Sequence, residues 1–103
     1  MYLRDRKSTP IGCIAIDESR TGIVSFQYSV LNPIDVFERK IARYLALGKL
    51  IEMPINLQVS RTASRHEVSR LIMADIANNS QGPSRARRAA KLWLKNKAAV
   101  ISD

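Results

Sequence analysis

The sequence predicts a small α+β protein with the element order β-β-α-β-α-α, in which an antiparallel hairpin sheet packs on helices. Three observations predict this class: two apolar segments linked by a turn, an alternating segment interrupted by a proline, and amphipathic segments that begin with helix-capping residues. A chain of 103 residues has room for one hydrophobic core. We therefore expect residues 1–103 to form a single domain, with residues 1–10 as a flexible N-terminus.

The hairpin is predicted in residues 11–30. Ile11–Ile16 is an apolar run, the polar residues after it end in Gly22, and Ile23–Val30 alternates between apolar and polar side chains. One face of this second strand is apolar and carries Val24, Phe26, Tyr28 and Val30. The other face is mostly polar and carries Ser25, Gln27 and Ser29 with Ile23. The pattern predicts a sheet covered by helices on one side only.

A first helix is predicted to begin at Asn32-Pro33, because Asn is a favourable N-cap and Pro fits the first helical position. Gly48-Lys49 is a suitable end for this helix. Residues spaced by three and four positions predict an apolar face directed towards the sheet, formed by Ile34, Phe37, Ile41, Tyr44, Leu45 and Gly48. Three basic residues lie largely off that face: Arg39, Lys40 and Arg43.

A third strand is predicted in residues 51–59, where apolar and polar side chains alternate. Pro54 has no amide hydrogen to donate to a ladder, so we expect this strand at the edge of the sheet. Ile55 and Leu57 are then exposed apolar residues, available to a protein partner. Pairing of two such edges would give a homodimer.

Two further helices follow this strand. Ser64 and Glu67 have the spacing of a capping box, and Ser84 can cap the last helix after the loop that ends at Gly82-Pro83. The apolar stripe of the first of these helices is Val68, Leu71, Ile72 and Ile76. The last helix directs Ala86, Ala89, Ala90, Trp93 and Leu94 towards the body of the protein. Its other side is a ridge of basic residues spaced by three or four, with Arg87 beside it: Arg85, Arg88, Lys91 and Lys95.

The formal net charge is +8, and residues 81–103 contribute 6 basic and 1 acidic side chains to it. A concentration of Lys and Arg on one element attracts phosphates and releases their counterions on contact. The predicted nucleic-acid-binding residues are Arg85, Arg87, Arg88, Lys91 and Lys95, with help from Arg39, Lys40 and Arg43. Two alternatives remain open from the sequence. The ridge can be an ordinary solvated helix face, and Trp93 can either stack on an unpaired base or anchor its helix to the core.

The sequence offers little for catalysis. It contains no phosphate-cradling glycine loop, nucleophile elbow or zinc-protease motif. His66 lies in a helix-capping sequence, Cys13 lies on an apolar strand, and Asp17-Glu18 lies in a turn, so each has an ordinary structural explanation. We expect no enzymatic activity, no metal site and no cofactor. The lone cysteine, the absence of an apolar run that would span a bilayer and the polar N-terminus predict a cytoplasmic protein with no membrane partner.

The segment Tyr28–Leu50 resembles a segment of small, mostly uncharacterised proteins of tailed bacteriophages. That family pattern has a strand, then D-x-F, R-K-[IL]-G/A-R and A-x-x-[RK]; here these are Asp35-Val36-Phe37, Arg39-Lys40-Ile41-Ala42-Arg43 and Ala46-Leu47-Gly48-Lys49. Ala42 stands where Gly is common. The resemblance implies a phage accessory protein acting in the host cytoplasm on host machinery or viral nucleic acid. It assigns no activity and no binding residue.

Two functions follow as hypotheses. In the first, the protein binds DNA or RNA through its basic C-terminal helix, with low sequence specificity. In the second, it is an inhibitor or modulator that docks on a host protein, such as a defence nuclease, a polymerase or another nucleic-acid enzyme, in a host-takeover or anti-defence role. The first predicts salt-sensitive binding to free nucleic acid, and the second predicts tight binding to one protein.

Overall fold

The computed structural model describes residues 1–31 and 38–101, with side chains as far as Lys97. These residues form an α+β fold, which confirms the predicted class. In chain order the elements are β1 (Tyr2–Arg4), β2 (Pro10–Asp17), β3 (Ile23–Val30), α1 (Arg39–Glu52), β4 (Ile55–Gln58), α2 (Arg65–Asn78) and α3 (Ser84–Ile101). The helix start predicted at Asn32-Pro33 lies outside the described residues, as do Ile34 and Phe37.

The four strands form one antiparallel sheet in the order β1-β2-β3-β4. The β2–β3 hairpin is as predicted, and so is the edge position of β4, the strand that follows Pro54. The other edge, β1, is an addition to the predicted element order. We expected residues 1–10 to be flexible, but β1 pairs with β2 and buries Leu3 in the core. A strand of three residues is too short to show a periodicity of two, so the sequence pattern does not reveal it.

The main core lies between one face of the sheet and the α2–α3 pair. This core combines side chains of both helices with side chains of all four strands, among them Leu3, Ile14, Phe26, Tyr28 and Leu57. Ser64 caps α2 as predicted, since its Oγ accepts a hydrogen bond from the Glu67 amide. The helices bury Val68, Ile72, Met73, Ile76, Ala86, Ala89 and Ala90. Leu71 was expected on the buried stripe, but it is 44% exposed because it lies at the outer edge of that stripe.

The opposite face of the sheet is covered by α1, so the expectation of a one-sided sheet is wrong. Ala42 and Ala46 pack against Cys13, and the Ser29 hydroxyl donates a hydrogen bond of 3.1 Å to the Ala42 carbonyl. The Lys49 ammonium group donates to the Tyr28 carbonyl at 3.3 Å. The polar face of β3 is therefore buried against a helix backbone that approaches closely through small side chains.

The predicted orientation of α1 is wrong for its large apolar residues. Ile41, Tyr44 and Leu45 were expected to face the sheet, yet they are 48%, 77% and 44% exposed. The physical reason is the mostly small and polar surface of this sheet face, where Cys13, Ala15 and Ser29 leave little depth for a large apolar side chain. Ala42 and Ala46 are the buried residues of α1. The larger side chains of α1 therefore lie on its outer side.

The third predicted strand is shorter than expected and less exposed. The helix α1 continues through Gly48 to Glu52, so Ile51 is helical and β4 begins only at Ile55. Proline at position 54 disfavours helical conformation in the residue before it, which fixes the end of α1. Ile55 and Leu57 are half-buried and pack against the main core, so they are not the exposed partner surface that we expected.

The β2–β3 pair requires glycine at position 12. A Cβ at Gly12 would overlap the Ser29 carbonyl oxygen, which belongs to the sheet backbone and has little freedom to move. We expect Gly12→Ala to lower the free energy of unfolding by about 1–3 kcal/mol, the usual cost of overpacking. Urea unfolding followed by circular dichroism measures the change. Thr21→Ala, in the exposed turn of the same hairpin, is the control and should change it by less than about 0.5 kcal/mol. Equal effects of the two substitutions would contradict the close approach.

Candidate nucleic-acid interface

An open groove of about 910 Å³ lies between α3 and the turn that joins β1 to β2. We call it the basic groove, because six of its lining residues are Lys or Arg. It is lined by Asp5, Arg6, Lys7, Ile11, Arg85, Arg88, Ala89, Lys91, Leu92 and Lys95. Its cations come from the two ends of the chain and meet only in the folded protein.

The β1–β2 turn is held in a defined conformation by Asp5. The Asp5 Oδ1 accepts hydrogen bonds from the amides of Lys7 and Thr9, at 2.9 and 3.0 Å. The Arg4 guanidinium donates to the Ser8 carbonyl at 2.8 Å, and Ser8 adopts a positive φ of 62°. The carboxylate of Asp5 thus organises the turn that presents Arg6 and Lys7.

On the other side of the groove, α3 presents four basic residues because its opposite face is buried through alanines. Arg88, Lys91 and Lys95 are exposed, while Arg85 is half-buried and its Nη1 donates a hydrogen bond to the Leu31 carbonyl. Arg85 therefore ties the start of α3 to the end of β3 and places its charge in a fixed position. The structure brings together all four residues of the predicted ridge.

Arg87 lies beside this ridge, not in the basic groove. It lines a second depression of about 380 Å³ together with Arg88 and Lys91, so those two side chains lie between the two depressions. The Arg87 Nη1 donates to the Ser80 carbonyl at 3.1 Å. Its hydrogen bond fastens the α2–α3 loop to α3.

The basic residues predicted on the first helix do not join this site. Arg39, Lys40 and Arg43 belong to α1, which packs on the sheet face opposite to the one that carries α2 and α3. The Arg39 guanidinium carbon lies 5.4 Å from the centroid of the Tyr2 ring, within the range of a cation–π contact. The eight predicted binding residues therefore fall on two sides of the molecule.

Sequence reasoning missed Arg6 and Lys7, because residues 1–10 were expected to be flexible. A signal was present: Arg4-Asp5-Arg6-Lys7-Ser8 combines basic residues with an Asp and a Ser, which form side-chain hydrogen bonds to nearby backbone in turns. What the sequence does not show is that Leu3 anchors this segment beside α3.

Trp93 has a structural role in the helix pair. It packs against the main core, and its ring stacks on His66 of α2 with 6.0 Å between centroids and 29° between the ring planes. The Lys97 ammonium group lies 5.6 Å from the Trp93 centroid. These contacts favour Trp93 as an anchor of α3 over Trp93 as a platform for an unpaired base.

The remaining polar candidates also have structural roles. Asp17 accepts a hydrogen bond of 2.9 Å from the Ser19 amide, and hydrogen bonding to Ser19 lowers the pKa of its carboxyl group.

Within residues 1–31 and 38–101, no group of three or more His, Cys, Asp or Glu side chains is placed to hold a metal ion. No helix in the described part of the chain is long and apolar enough to cross a membrane.

Comparisons of the chain with protein-family models, with curated proteins and with solved structures found no match.

Cys13 is buried under α1, and this burial raises the pKa of its thiol, while the N-terminal amino group and Arg43 oppose the shift. A higher pKa leaves less thiolate at a given pH, so we expect slow alkylation by iodoacetamide at pH 8 in the folded protein. The rate should still rise with pH where that of an exposed thiol has levelled off. Mass spectrometry of timed samples measures the rate, and the chain in guanidinium is the control. Equal rates in the two conditions would show that Cys13 is accessible.

Proposed function

We propose that the protein binds nucleic acid in the basic groove, where the cations contact the phosphate backbone of the nucleic acid. The observation that carries the proposal is the convergence of Arg6 and Lys7 with the basic ridge of α3 around one open groove. A solvated helix face accounts for the ridge alone. It does not account for a turn, ordered by Asp5, that adds two more cations to the same groove.

The chemistry of the groove suits a phosphate polymer. Guanidinium groups form two parallel hydrogen bonds with a phosphate, ammonium groups supply point charges, and both release condensed counterions when the polymer binds. The groove is open along α3, from Arg85 to Lys95, which suits an extended ligand. Apart from Asp5, the described residues that line the groove are basic or apolar, so they offer few groups that distinguish one base from another. We therefore propose binding with low sequence specificity.

The contributions of the basic residues differ with their local contacts. The side chains of Arg6, Lys7, Arg88, Lys91 and Lys95 are exposed and can turn towards a ligand. Arg85 and Arg87 already donate to backbone carbonyls, so they supply charge at fixed positions and support the fold. The exposed group should therefore account for most of the salt-dependent binding.

The wider role that we propose is that of a phage accessory protein acting on nucleic acid in the host cytoplasm. This role is supported by the resemblance of Tyr28–Leu50 to tailed-phage proteins and by the basic groove together.

The groove is tested by titrating labelled duplex DNA, single-stranded DNA and hairpin RNA at several salt concentrations, with fluorescence anisotropy as the measurement. For duplex DNA we expect log affinity to fall linearly with log salt, with a slope of about −0.9 for each phosphate neutralised. Arg88→Ala with Lys91→Ala removes two such contacts and should make the slope shallower by about 1.8. The control is Arg39→Ala with Arg43→Ala on α1, which removes the same charge and should leave the slope unchanged. Equal effects of the two pairs would indicate attraction by net charge alone.

The contribution of the β1–β2 turn is tested separately by Arg6→Ala with Lys7→Ala. Because these residues line the same groove, we expect a second shallowing of the slope by up to about 1.8. An unchanged slope would show that the ligand contacts α3 without entering the groove.

If the unmodified protein binds none of the three nucleic acids at low salt, the proposed function is wrong, and a host nucleic-acid enzyme becomes the partner to seek by affinity capture.

A further inference from the structure

The second depression beside α3 shares two side chains with the basic groove. It is lined by Ala77, Asn78, Ser80, Ser84, Arg87, Arg88 and Lys91, and we call it the polar depression. Arg88 and Lys91 also line the basic groove. These two exposed cations therefore form the border between the two concavities, and a ligand in either one can contact them.

The two concavities lie on opposite sides of this border. Arg85 and Leu92 line only the basic groove, whereas Ser84 and Arg87 line only the polar depression. Successive residues of an α-helix are about 100° apart, which sets Arg85 and Leu92 on one flank of Arg88 and sets Arg87 on the other flank. The exposed side of α3 is thus a convex cationic surface with a concavity along each flank.

Hydrogen bonds to the start of α3 and to the loop before it hold two guanidinium groups at the polar depression. Arg87 donates to the Ser80 carbonyl at 3.1 Å, and Arg88 Nη2 donates a longer hydrogen bond of 3.5 Å to Ser84 Oγ. Both acceptors belong to residues that line the depression. A guanidinium group has five N–H donors, so one hydrogen bond does not exhaust its capacity to bind an anion.

The lining of the polar depression suits a phosphate group. Besides its three cations and one alanine, it consists of neutral polar side chains, those of Asn78, Ser80 and Ser84. No carboxylate is among the described residues that line it, and Asp75, in the last turns of α2, is half-buried and lies outside the lining. Hydroxyl and amide groups donate hydrogen bonds to phosphate oxygens, and the cations balance the charge.

We propose that the ligand of this site is duplex DNA, with the exposed side of α3 in the major groove and one phosphate backbone in each concavity. The inference rests on the proposed function and names its ligand. The major groove of B-form DNA is about 12 Å wide and is bordered by the two backbones, and an α-helix with its side chains is about 10–12 Å across. Arg88 and Lys91 line both concavities, so they contact phosphates of either backbone.

Other nucleic acids match this arrangement less well. A single strand supplies one backbone and leaves one of the two concavities empty. An RNA duplex supplies two backbones, but its major groove is deep and narrow and does not admit a helix. The minor groove of B-form DNA, about 6 Å wide, is too narrow as well. A convex helix with a cationic concavity on each side therefore favours the major groove of duplex DNA.

The choice of ligand is tested by fluorescence anisotropy with a DNA duplex, an RNA duplex and a DNA single strand of one length and sequence. At one salt concentration we expect the DNA duplex to bind at least about tenfold more tightly than the RNA duplex, because only its major groove admits α3. Equal affinities for the two duplexes would overturn the inference. They would leave phosphate binding in the basic groove intact.

The polar depression is tested at Ser80, which is exposed and lines the depression but not the basic groove. Ser80→Asp should lower the affinity for duplex DNA at least about threefold, and Ser80→Lys should raise it by a similar factor, because each changes the charge beside one backbone. A single strand occupies the basic groove, so its affinity should change by less than about twofold.

Thr21→Asp and Thr21→Lys are the matched controls. They make the same charge changes in the exposed β2–β3 turn, at the opposite end of the sheet from Leu31, to which Arg85 donates its hydrogen bond. The affinity for duplex DNA should stay within about twofold of the original value, and circular dichroism should show that all four variants fold.

Two results at these positions would overturn the inference. One is an equal effect of the Ser80 and Thr21 variants on duplex binding, and the other is an equal effect of the Ser80 variants on duplex and single-stranded DNA. If Arg6→Ala with Lys7→Ala weakens binding in the same experiments, the basic groove binds nucleic acid and only the polar depression is wrongly assigned. If no nucleic acid binds, the proposed function and this inference are both wrong.

Discussion

The architecture depends on the close approach of α1 to the polar face of the sheet. Ala42 and Ala46 bring the helix backbone near enough for the Ser29 hydroxyl to bond with a helix carbonyl group, and Cys13 fills the space beside them. Because this contact admits only small side chains, it directs the large apolar residues of α1 away from the core. The same contact separates the cations of α1 from those of α3, since it places α1 on its own side of the sheet. A three-layer molecule results, with a different surface chemistry on each outer layer.

The basic groove depends on a second anchor, at the start of the chain. Leu3 is buried in the main core and holds β1 at the edge of the sheet, next to α3. The Asp5 carboxylate then shapes the following turn, so that Arg6 and Lys7 lie across from the exposed cations of α3. A short strand with one buried leucine therefore converts a basic helix into a two-sided groove. The phosphate binding that we propose would gain from such an arrangement, because cations on two sides of a groove can surround a ligand instead of touching it along one line.

The sequence by itself determined the local features: the β2–β3 hairpin, the Ser64 cap of α2, the alanine face of α3, and the ridge of Arg85, Arg88, Lys91 and Lys95. Each of these depends on residues close together in the chain, whose spacing and hydrogen-bonding capacity are visible in the sequence. Only the tertiary structure decided which face of α1 is buried. An apolar stripe in the sequence shows that a helix is amphipathic, but it does not show which of the two faces fits the surface that the helix packs against. Only the tertiary structure brought Arg6 and Lys7 to α3, because that contact joins the ends of the chain through the burial of Leu3. Long-range packing, which depends on the shape of the opposing surface, made both decisions.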